Sequence, residues 1–300
     1  MLSIPISEVM LVIYYVVDEW YQQAGYKLLK GKAGVKPVFS DSEVITLMLT
    51  QDFIPYPGEN QYIGYLRANY LDLFPQLLTQ SQYNRRARSL RLLVEAFRRH
   101  WLEELDLLND TDLLLDTKPV PVMGYKRSKK HSDFAGSAGY GMCVSRNLHY
   151  YGYKLVTLST LEGLPLVYEL VAAHLDERVA AQAVVYRVRG CRIYADKGFI
   201  GEAWQHQLFQ HTHNRLFTAK RINQTNPNPP EFDRWLNSMR ERIEGLFNEL
   251  QNTGRNLERL LAKTVLGLTT RVIAKMTSHL VKFILRKCYG IDVQTFTRTA

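Results

Sequence analysis

Three acidic residues of the chain lie where strands and helices could bring them together. Asp116 lies inside the apolar segment LLLDTKPVPV, Asp196 ends the apolar segment CRIYAD, and Glu244 lies in RERIEGLF. A carboxylate in an apolar strand is expensive to bury without a partner. These residues therefore need a cation, a hydrogen-bond network or a solvent-facing cleft.

Several carboxylates that converge on one point would suit Mg²⁺ and Mn²⁺. Both ions prefer hard oxygen ligands and keep water or phosphate oxygens in their remaining positions. Two such ions about 4 Å apart can hold the attacking and the leaving oxygen of a phosphoryl transfer. The chain has no GxSxG, HExxH or P-loop sequence that would favour another chemistry. The acids therefore indicate metal-dependent phosphoryl transfer.

Each acid also has an ordinary structural interpretation. Asp196 comes directly before a Lys-Gly step, and both Asp and Gly are favoured in turns. Asp116 could be a residue at the end of a strand, with Asp112 as an equal competitor for any catalytic role. Glu244 could form a common salt bridge with Arg240, one helical turn earlier. Residue type and position alone leave these alternatives open.

The first hundred residues predict helices that would precede the acids. Residues 40–43 form a capping box, in which Ser40 caps a helix and Glu43 reaches back. The segment SQYNRRARSLRLLVEAFRRHWLEEL predicts one long amphipathic helix, with Leu90, Leu93 and Phe97 on its inward face. The N-terminal part of the chain is therefore expected to be an all-helical domain.

The pattern changes near Asn109, and the elements that follow would position the acids. A short strand contains Asp116, and the next two strands form a hairpin around residues 162–163. A helix, the strand that ends at Asp196, a helix, a short strand and the helix of Glu244 follow. This order predicts an α/β core with a mixed sheet.

A last helical stretch runs from 256 to 287. We expect its apolar face to pack on the catalytic domain, as most of the stability of such a helix comes from packing. Five basic residues spaced by three or four positions form one stripe along it, which is either a solvated face or a DNA contact. They are Arg271, Lys275, His279, Lys282 and Arg286.

The predicted domains are a helical DNA-binding domain over 1–107, a catalytic domain over 108–252 and a C-terminal helical segment over 253–300.

The composition favours a globular protein with a polyanionic partner. Hydrophobic residues make up 46% and charged residues 22%, and the net charge is +9. The positive charge favours nucleic acid first and an anionic membrane surface second. Three scattered cysteines without a CxxC pair predict neither disulfides nor a zinc site. The N-terminal segment VMLVIYYVV is too short to span a bilayer, and we expect a buried helix in a cytoplasmic protein.

Basic residues cluster at sites where they could contact DNA phosphates. Four arginines begin the long helix, and the glycine-rich loop GYKRSKKHSDFAGSAGYG follows the first strand. Other cations lie beside the acids or on the C-terminal stripe, and for each the alternative is a solvated surface. The residues predicted to bind DNA are Arg85, Arg86, Arg88, Arg91, Lys126, Arg127, Lys129, Lys130, Lys197, Arg240, Arg271 and Lys275.

Taken together, these segments resemble the DDE transposases of bacterial insertion sequences. The resemblance covers almost the whole chain and rests on SDSEVITLML, LLLDTKPVPV, YYGYKLV, YADKGFIG and RERIEGLFNEL. It implies a ribonuclease H-like catalytic domain. It also implies that Asp116, Asp196 and Glu244 are the catalytic acids and hold Mg²⁺, with Mn²⁺ able to substitute.

The resemblance implies an enzyme that nicks transposon ends and joins the freed 3′ hydroxyl to target DNA. Its partners would be double-stranded DNA, at the terminal repeats and the target, and a second copy of the chain at the bacterial nucleoid. Arg240 matches an arginine of many relatives, whereas Asn237 and Gln251 stand where a tyrosine and a lysine are common. The alternatives are a catalytically inactive protein that binds transposon ends, and a nuclease of the same fold.

Overall fold

The chain forms two compact units, seen in a computed structural model. The helical unit combines residues from 1–101 with residues from 250–300, and the α/β unit comprises 102–249. Within the described part of the chain, none of the helices is both long and apolar enough to cross a membrane. The structure describes residues 4–29, 37–127, 129–143, 146–219 and 228–293.

In its described residues, the helical unit contains four complete helices and most of a fifth. These are α1 (Ile6–Gln23), α2 (Asp41–Thr50), α3 (Glu59–Asn69), α8 (Val265–Tyr289) and most of α4 (Gln80–Glu104). The predicted capping box is confirmed, since the Glu43 amide donates to Ser40 Oγ at 3.1 Å and the Ser40 amide donates to Glu43 Oε2 at 2.6 Å. The predicted inward residues of α4 are also buried, among them Leu90 and Phe97.

The C-terminal helix α8 packs inside the helical unit, so the prediction that it packs on the catalytic domain is wrong. Ser278 Oγ on α8 donates to the carbonyl of Leu49 on α2 at 2.8 Å. Most of the middle of α8 is buried, including Val272, Met276 and Leu280. Leu261, which falls in the stretch predicted to be helical, precedes the helix and is 48% exposed. The helix therefore completes the N-terminal helices and does not form a separate segment.

The α/β unit is a mixed sheet with flanking helices. Its sheet has the order β2-β3-β1-β5-β6, and β4 also pairs with β3. Its elements are β1 (Asp112–Met123), β2 (Gly139–Cys143), β3 (Leu148–Thr160), β4 (Pro165–Ala172), α5 (Glu177–Val185), β5 (Arg192–Ala195), α6 (Glu202–Thr212), β6 (Arg215–Thr218) and most of α7 (Pro230–Asn252). The mixed α/β core, the predicted strand of Asp116 and the hairpin that follows it are confirmed.

Strand β1 is central to the sheet and changes its pairing along its length. It runs antiparallel to β3 from Leu113 to Met123, whereas it pairs in parallel with β5 only over 112–115. The two prolines of β1, Pro119 and Pro121, fall where β5 has already ended. Proline cannot donate to a ladder, so it is tolerated where one side of a strand is unpaired. Among the described residues, no strand therefore pairs with β1 on that side after residue 115.

Strand β2 begins inside a segment that the sequence predicted to be a loop. It pairs antiparallel with β3, from Gly139 opposite Gly152 to Cys143 opposite Leu148. The glycines that suggested a loop serve close packing here. A Cβ on Gly139 would meet the ring of His174 at 2.1 Å, so only glycine fits without rearrangement.

Candidate active site

Asp116 and Asp196 lie at corresponding positions on neighbouring parallel strands. The last parallel pair of β1 and β5 joins Leu115 to Ala195, and each acid is the next residue on its strand. Neighbouring strands lie roughly 5 Å apart, and residues paired in register point to the same face. The structure therefore brings these two predicted site residues together at the carboxyl end of the parallel pair.

A backbone amide orients each of the two carboxylates. The Thr117 amide donates to Asp116 Oδ1 at 2.7 Å, and the Lys197 amide donates to Asp196 Oδ1 at 2.5 Å. Both acids are half-buried. The strand ends at Asp196 because its side chain caps a 3₁₀ turn over Lys197–Phe199, and the ring of Phe199 is buried. The turn interpretation of Asp196 is thus correct, and it is compatible with a role in a site.

Glu244 is carried by α7, which packs on the face of the sheet that bears the two aspartates. The ring centroid of Trp235 on α7 lies 4.6 Å from that of Tyr194, which lies two residues before Asp196 and so points to the same face. Ile243 and Leu246 of α7 are buried, whereas Glu244 is exposed. Helix α7 therefore lies on the same face as Asp116 and Asp196, but the structure does not bring all three acids into one group.

The polar groups at this position fit a divalent metal in kind. Carboxylate oxygens are the ligands that Mg²⁺ and Mn²⁺ prefer. Thr157 pairs with Asp116 across the sheet, and its buried Oγ1 has no hydrogen-bond partner among the residues that the structure describes. In the same residues, no group of three or more His, Cys, Asp or Glu side chains is close enough to hold a metal ion. The three-acid metal site therefore stays a prediction.

Asp112, the competitor of Asp116, is occupied by a structural network. Tyr194 Oη donates to Asp112 Oδ1 at 2.8 Å, and the Arg192 guanidinium pairs with Asp112 Oδ2. Partial burial raises the pKa of Asp112, but the hydrogen bonds from Arg192 and Tyr194 outweigh it and hold the pKa below its usual value. The pKa of Tyr194 is raised to about 12, mainly by burial and also by its bond to this carboxylate. Asp112 therefore fastens β1 to β5.

Glu177, at the start of α5, supports the site from the opposite face of the sheet, and the sequence did not reveal it. Glu177 Oε2 accepts a hydrogen bond from Thr117 Oγ1 at 2.9 Å, and Oε1 pairs with Lys154 Nζ at 2.8 Å. A Cβ on Gly198 would lie 3.5 Å from Glu177 Cγ. Glu177 therefore fastens Thr117, whose amide orients Asp116. The sequence could not reveal this role, since a contact of this kind depends on the fold.

The twelve residues predicted to bind DNA differ in exposure, and only the exposed ones can contact DNA without rearrangement. Arg88, Arg91 and Lys129 are half-buried, and the Lys129 Nζ donates to the carbonyl of Gly124 at 2.9 Å. The side chain of Arg240 lies outside the described part of the chain. The exposed members are Arg85, Lys126, Arg127, Lys130 and Lys197.

Three of the predicted DNA contacts form ion pairs within the helical unit. Arg86 pairs with Asp41 at 2.6 Å and also donates to the Phe39 carbonyl. Arg271 and Lys275 of the basic stripe form ion pairs with acids of the N-terminal helical region. The Lys275 side chain is 1% exposed. The prediction that Lys275 faces DNA is therefore wrong, because a helix that is buried on most sides turns part of its stripe inward.

The α/β unit is thus a mixed sheet that presents two adjacent aspartates at the end of a parallel strand pair. The transposase DDE domain family model matches residues 110–259, half of the chain. The chain therefore belongs to this family. No curated protein matches the chain. No solved structure matches it either.

Proposed function

We propose that this chain is a DDE transposase that cuts transposon ends and joins the freed 3′ hydroxyl to target DNA. The reaction would depend on two divalent ions, Mg²⁺ or in its place Mn²⁺. The chain would act as a homodimer on double-stranded DNA in the bacterial cytoplasm. The transposase family of residues 110–259 supports transposition as the biological process.

The observation that carries this proposal is the adjacency of Asp116 and Asp196. They are 80 positions apart in the chain, yet each directly follows one member of the parallel pair Leu115–Ala195. Both lie in the segment that matches the family. The sheet order, with β1 antiparallel to β3 and parallel to β5, also supports a ribonuclease H-like fold for this unit.

In this proposal Asp116, Asp196 and Glu244 hold the ions. When bound, the ions would supply electrostatic stabilisation of the charge that develops on the transferred phosphate. The amides of Thr117 and Lys197 hold the two aspartates in a fixed orientation, which lowers the cost of ordering them. Lys197, which is exposed and directly follows Asp196, would bind a nearby phosphate.

Isosteric substitution of each acid tests the assignment. Asp116→Asn, Asp196→Asn and Glu244→Gln should each lower Mg²⁺-dependent cleavage by roughly a thousandfold or more, since metal stabilisation of the transition state amounts to several kcal/mol. The substrate would be a DNA fragment that carries the terminal inverted repeats flanking the gene, and its binding should survive. The matched control is Asp112→Asn, which should cut at the wild-type rate.

The cleavage rate of each variant tests the role of one residue, and the products of the wild-type chain test the type of reaction. A variant that retains cleavage removes its residue from the metal site. Detection of products in which a transposon 3′ end is covalently joined to target DNA would distinguish a transposase from a nuclease of the same fold. A wild-type chain that binds the repeats but neither cuts nor joins them would contradict the proposal.

We also propose that the helical unit recognises the transposon ends, with Arg85 among its phosphate contacts. Because α8 packs against α2, a fragment of residues 1–107 would lack part of its own core. The test therefore uses the full chain. Arg85→Ala should weaken binding to end DNA severalfold at low salt, and unchanged binding would remove Arg85 from the contact.

A further inference from the structure

A cluster of aromatic side chains, most of them exposed, lies with one methionine at one end of the α/β sheet. Tyr140 and Met142 on β2 are 53% and 46% exposed, and Tyr125, just after β1, is 45% exposed. The ring centroid of Tyr125 lies 5.3 Å from that of Tyr140, which lies 4.9 Å from that of Tyr151. His149 pairs with Met142 across the strands, and its ring centroid lies 5.9 Å from that of Tyr125. We call these five residues the aromatic patch.

One cation, Lys129, contacts the rings of the aromatic patch. The ammonium group of Lys129 lies 5.4 Å from the ring centroid of Tyr140 and 5.2 Å from that of Tyr151. A cation at this distance is attracted to the face of the ring. The same loop carries further exposed basic side chains. These are Lys126, Arg127, Lys130 and His131.

The aromatic patch and the candidate catalytic acids share one face of the sheet. Tyr151 and Thr157 are six residues apart on β3, so their side chains point to the same face, roughly 20 Å apart. Thr157 lies directly opposite Asp116. A DNA strand that passes the acids could therefore continue along the same face to the aromatic patch.

We propose that the aromatic patch binds unpaired bases of DNA by stacking, while the basic loop binds the adjoining phosphates. Flat exposed rings interleaved with cations are the combination that binds single-stranded nucleic acid, because every base has a face that can stack. A second copy of this chain is a poorer occupant, since it would bring the same cations into contact. This inference rests on the proposed function in DNA, and it adds a site for unpaired bases.

The test compares the affinity of the full-length chain for single-stranded and for duplex DNA. The probes are a fluorescein-labelled (dT)20 oligonucleotide and a labelled 20-base-pair duplex, measured by fluorescence anisotropy at fixed salt. The double variant Tyr125→Ala/Tyr140→Ala should bind (dT)20 about tenfold or more weakly, since one stacked base contributes at least this much. Binding to the duplex should change less than about twofold, because phosphate contacts remain.

Matched variants separate stacking from other effects. Tyr140→Phe keeps the ring and should bind (dT)20 like wild type, whereas Tyr140→Leu should bind it more weakly. Tyr15→Ala removes a tyrosine that is 60% exposed in the helical unit and should change neither affinity. The tyrosines of the double variant are exposed, so the fold should survive, and circular dichroism checks this.

Equal losses on (dT)20 and on the duplex, or no loss on either, would overturn the stacking site. Cleavage by wild type in Mg²⁺ and its loss in Asp116→Asn report separately on the proposed function. A chain that cuts repeat DNA but whose double variant binds (dT)20 normally would keep the function and lose only this inference.

Discussion

Carboxylates have different environments in the two units, and the difference separates structural acids from candidate catalytic ones. In the helical unit the Asp52 side chain is 5% exposed and lies between Arg255 and Lys275, which are 3% and 1% exposed. In the α/β unit Asp116 and Asp196 are half-buried and each is oriented by the next backbone amide. A carboxylate enclosed by two buried cations is neutralised and inaccessible, whereas a half-exposed one can still reach an ion.

The cluster around Asp52 also contains several buried hydrogen bonds. Lys275 Nζ donates to Asp52 Oδ1 at 3.2 Å, and to the carbonyl and hydroxyl oxygens of Thr253 at 2.6 and 2.8 Å. Burial raises the pKa of Asp52, but Arg255 and Lys275 outweigh burial and hold the pKa below its usual value. The ionised form of Asp52 is therefore part of the folded structure, and it links α2 to the C-terminal part of the chain.

The largest expected effect comes from alanine substitution at Asp52 compared with Asp116. Asp52→Ala leaves two buried cations without their anion and should lower the free energy of unfolding by about 3–5 kcal/mol. Asp116→Ala removes a half-exposed acid and should lower it by about 1 kcal/mol or less, while cleavage is lost. Urea unfolding followed by circular dichroism measures both. Equal stabilities of the two variants would contradict the distinction between Asp52 as a structural acid and Asp116 as a candidate catalytic acid.

The second prediction concerns acid pH and Glu59, a further acid of the helical unit. Burial raises the pKa of Glu59, but Arg271, which pairs with it at 2.7 Å, and two amide donors outweigh burial and lower the pKa. A lowered folded pKa contributes stability that is present above the unfolded value of about 4.3 and is lost as the pH falls through the folded value.

The urea midpoint of the wild-type chain should therefore fall as the pH drops below about 4. The contribution is about 1.4 kcal/mol for each unit by which the pKa is lowered. Glu59→Gln should be less stable at pH 6 and should lose less on acidification. Parallel midpoint curves for the two proteins between pH 6 and pH 3 would show that Glu59 contributes nothing by its charge.

The sequence predicted the elements whose signals are local. The capping box at Ser40, the strand of Asp116 and the hairpin around residues 162–163 depend on neighbouring residues and appear as predicted. The spacing of cations on α8 was also local, but it could not show which side of the helix is solvated. That depended on Asp52 and Glu59, which are more than 200 residues away in the chain.

For the candidate site, the sequence supplied the acids but not their supports. An acid within an apolar run is visible from residue type, so Asp116 and Asp196 could be selected in advance. Glu177 could not be, because its contacts with Thr117 and Lys154 span 60 and 23 residues. Nothing about an exposed-looking glutamate at the start of a helix distinguishes it from the N-terminal acids that many helices carry.

The third prediction tests Glu177 as a positioning residue. Glu177→Ala removes the acceptor for Thr117 Oγ1 and the partner of Lys154, and should lower kcat for cleavage about tenfold with little change in KM. Glu177→Gln keeps an oxygen that can accept from Thr117 and should recover part of the rate. Mg²⁺-dependent turnover over a range of DNA concentrations measures both constants.

A control for Glu177 exists in the same unit. Glu169 pairs with Arg187, and both side chains are largely exposed at 41% and 52%. An exposed pair contributes little, so Glu169→Ala should keep kcat within about twofold. A change in KM alone for Glu177→Ala would indicate a DNA contact and would contradict a positioning role.

The smallest expected effect distinguishes exposed cations from those enclosed in ion pairs. Each neutralised phosphate adds about 0.9 to the slope of log affinity against log salt. Lys126→Ala/Arg127→Ala removes two exposed cations and should flatten the slope by about two units or less, equally for repeat DNA and unrelated duplex, because phosphate contacts carry no sequence information. Arg271→Ala removes a cation that is paired with Glu59, with a side chain 13% exposed, and should leave the slope unchanged. Apparent Kd values between 50 and 300 mM NaCl would measure both variants. Flattening by Arg271→Ala as well would mean that its ion pair opens on DNA, and the enclosed cations would then join the DNA-binding surface.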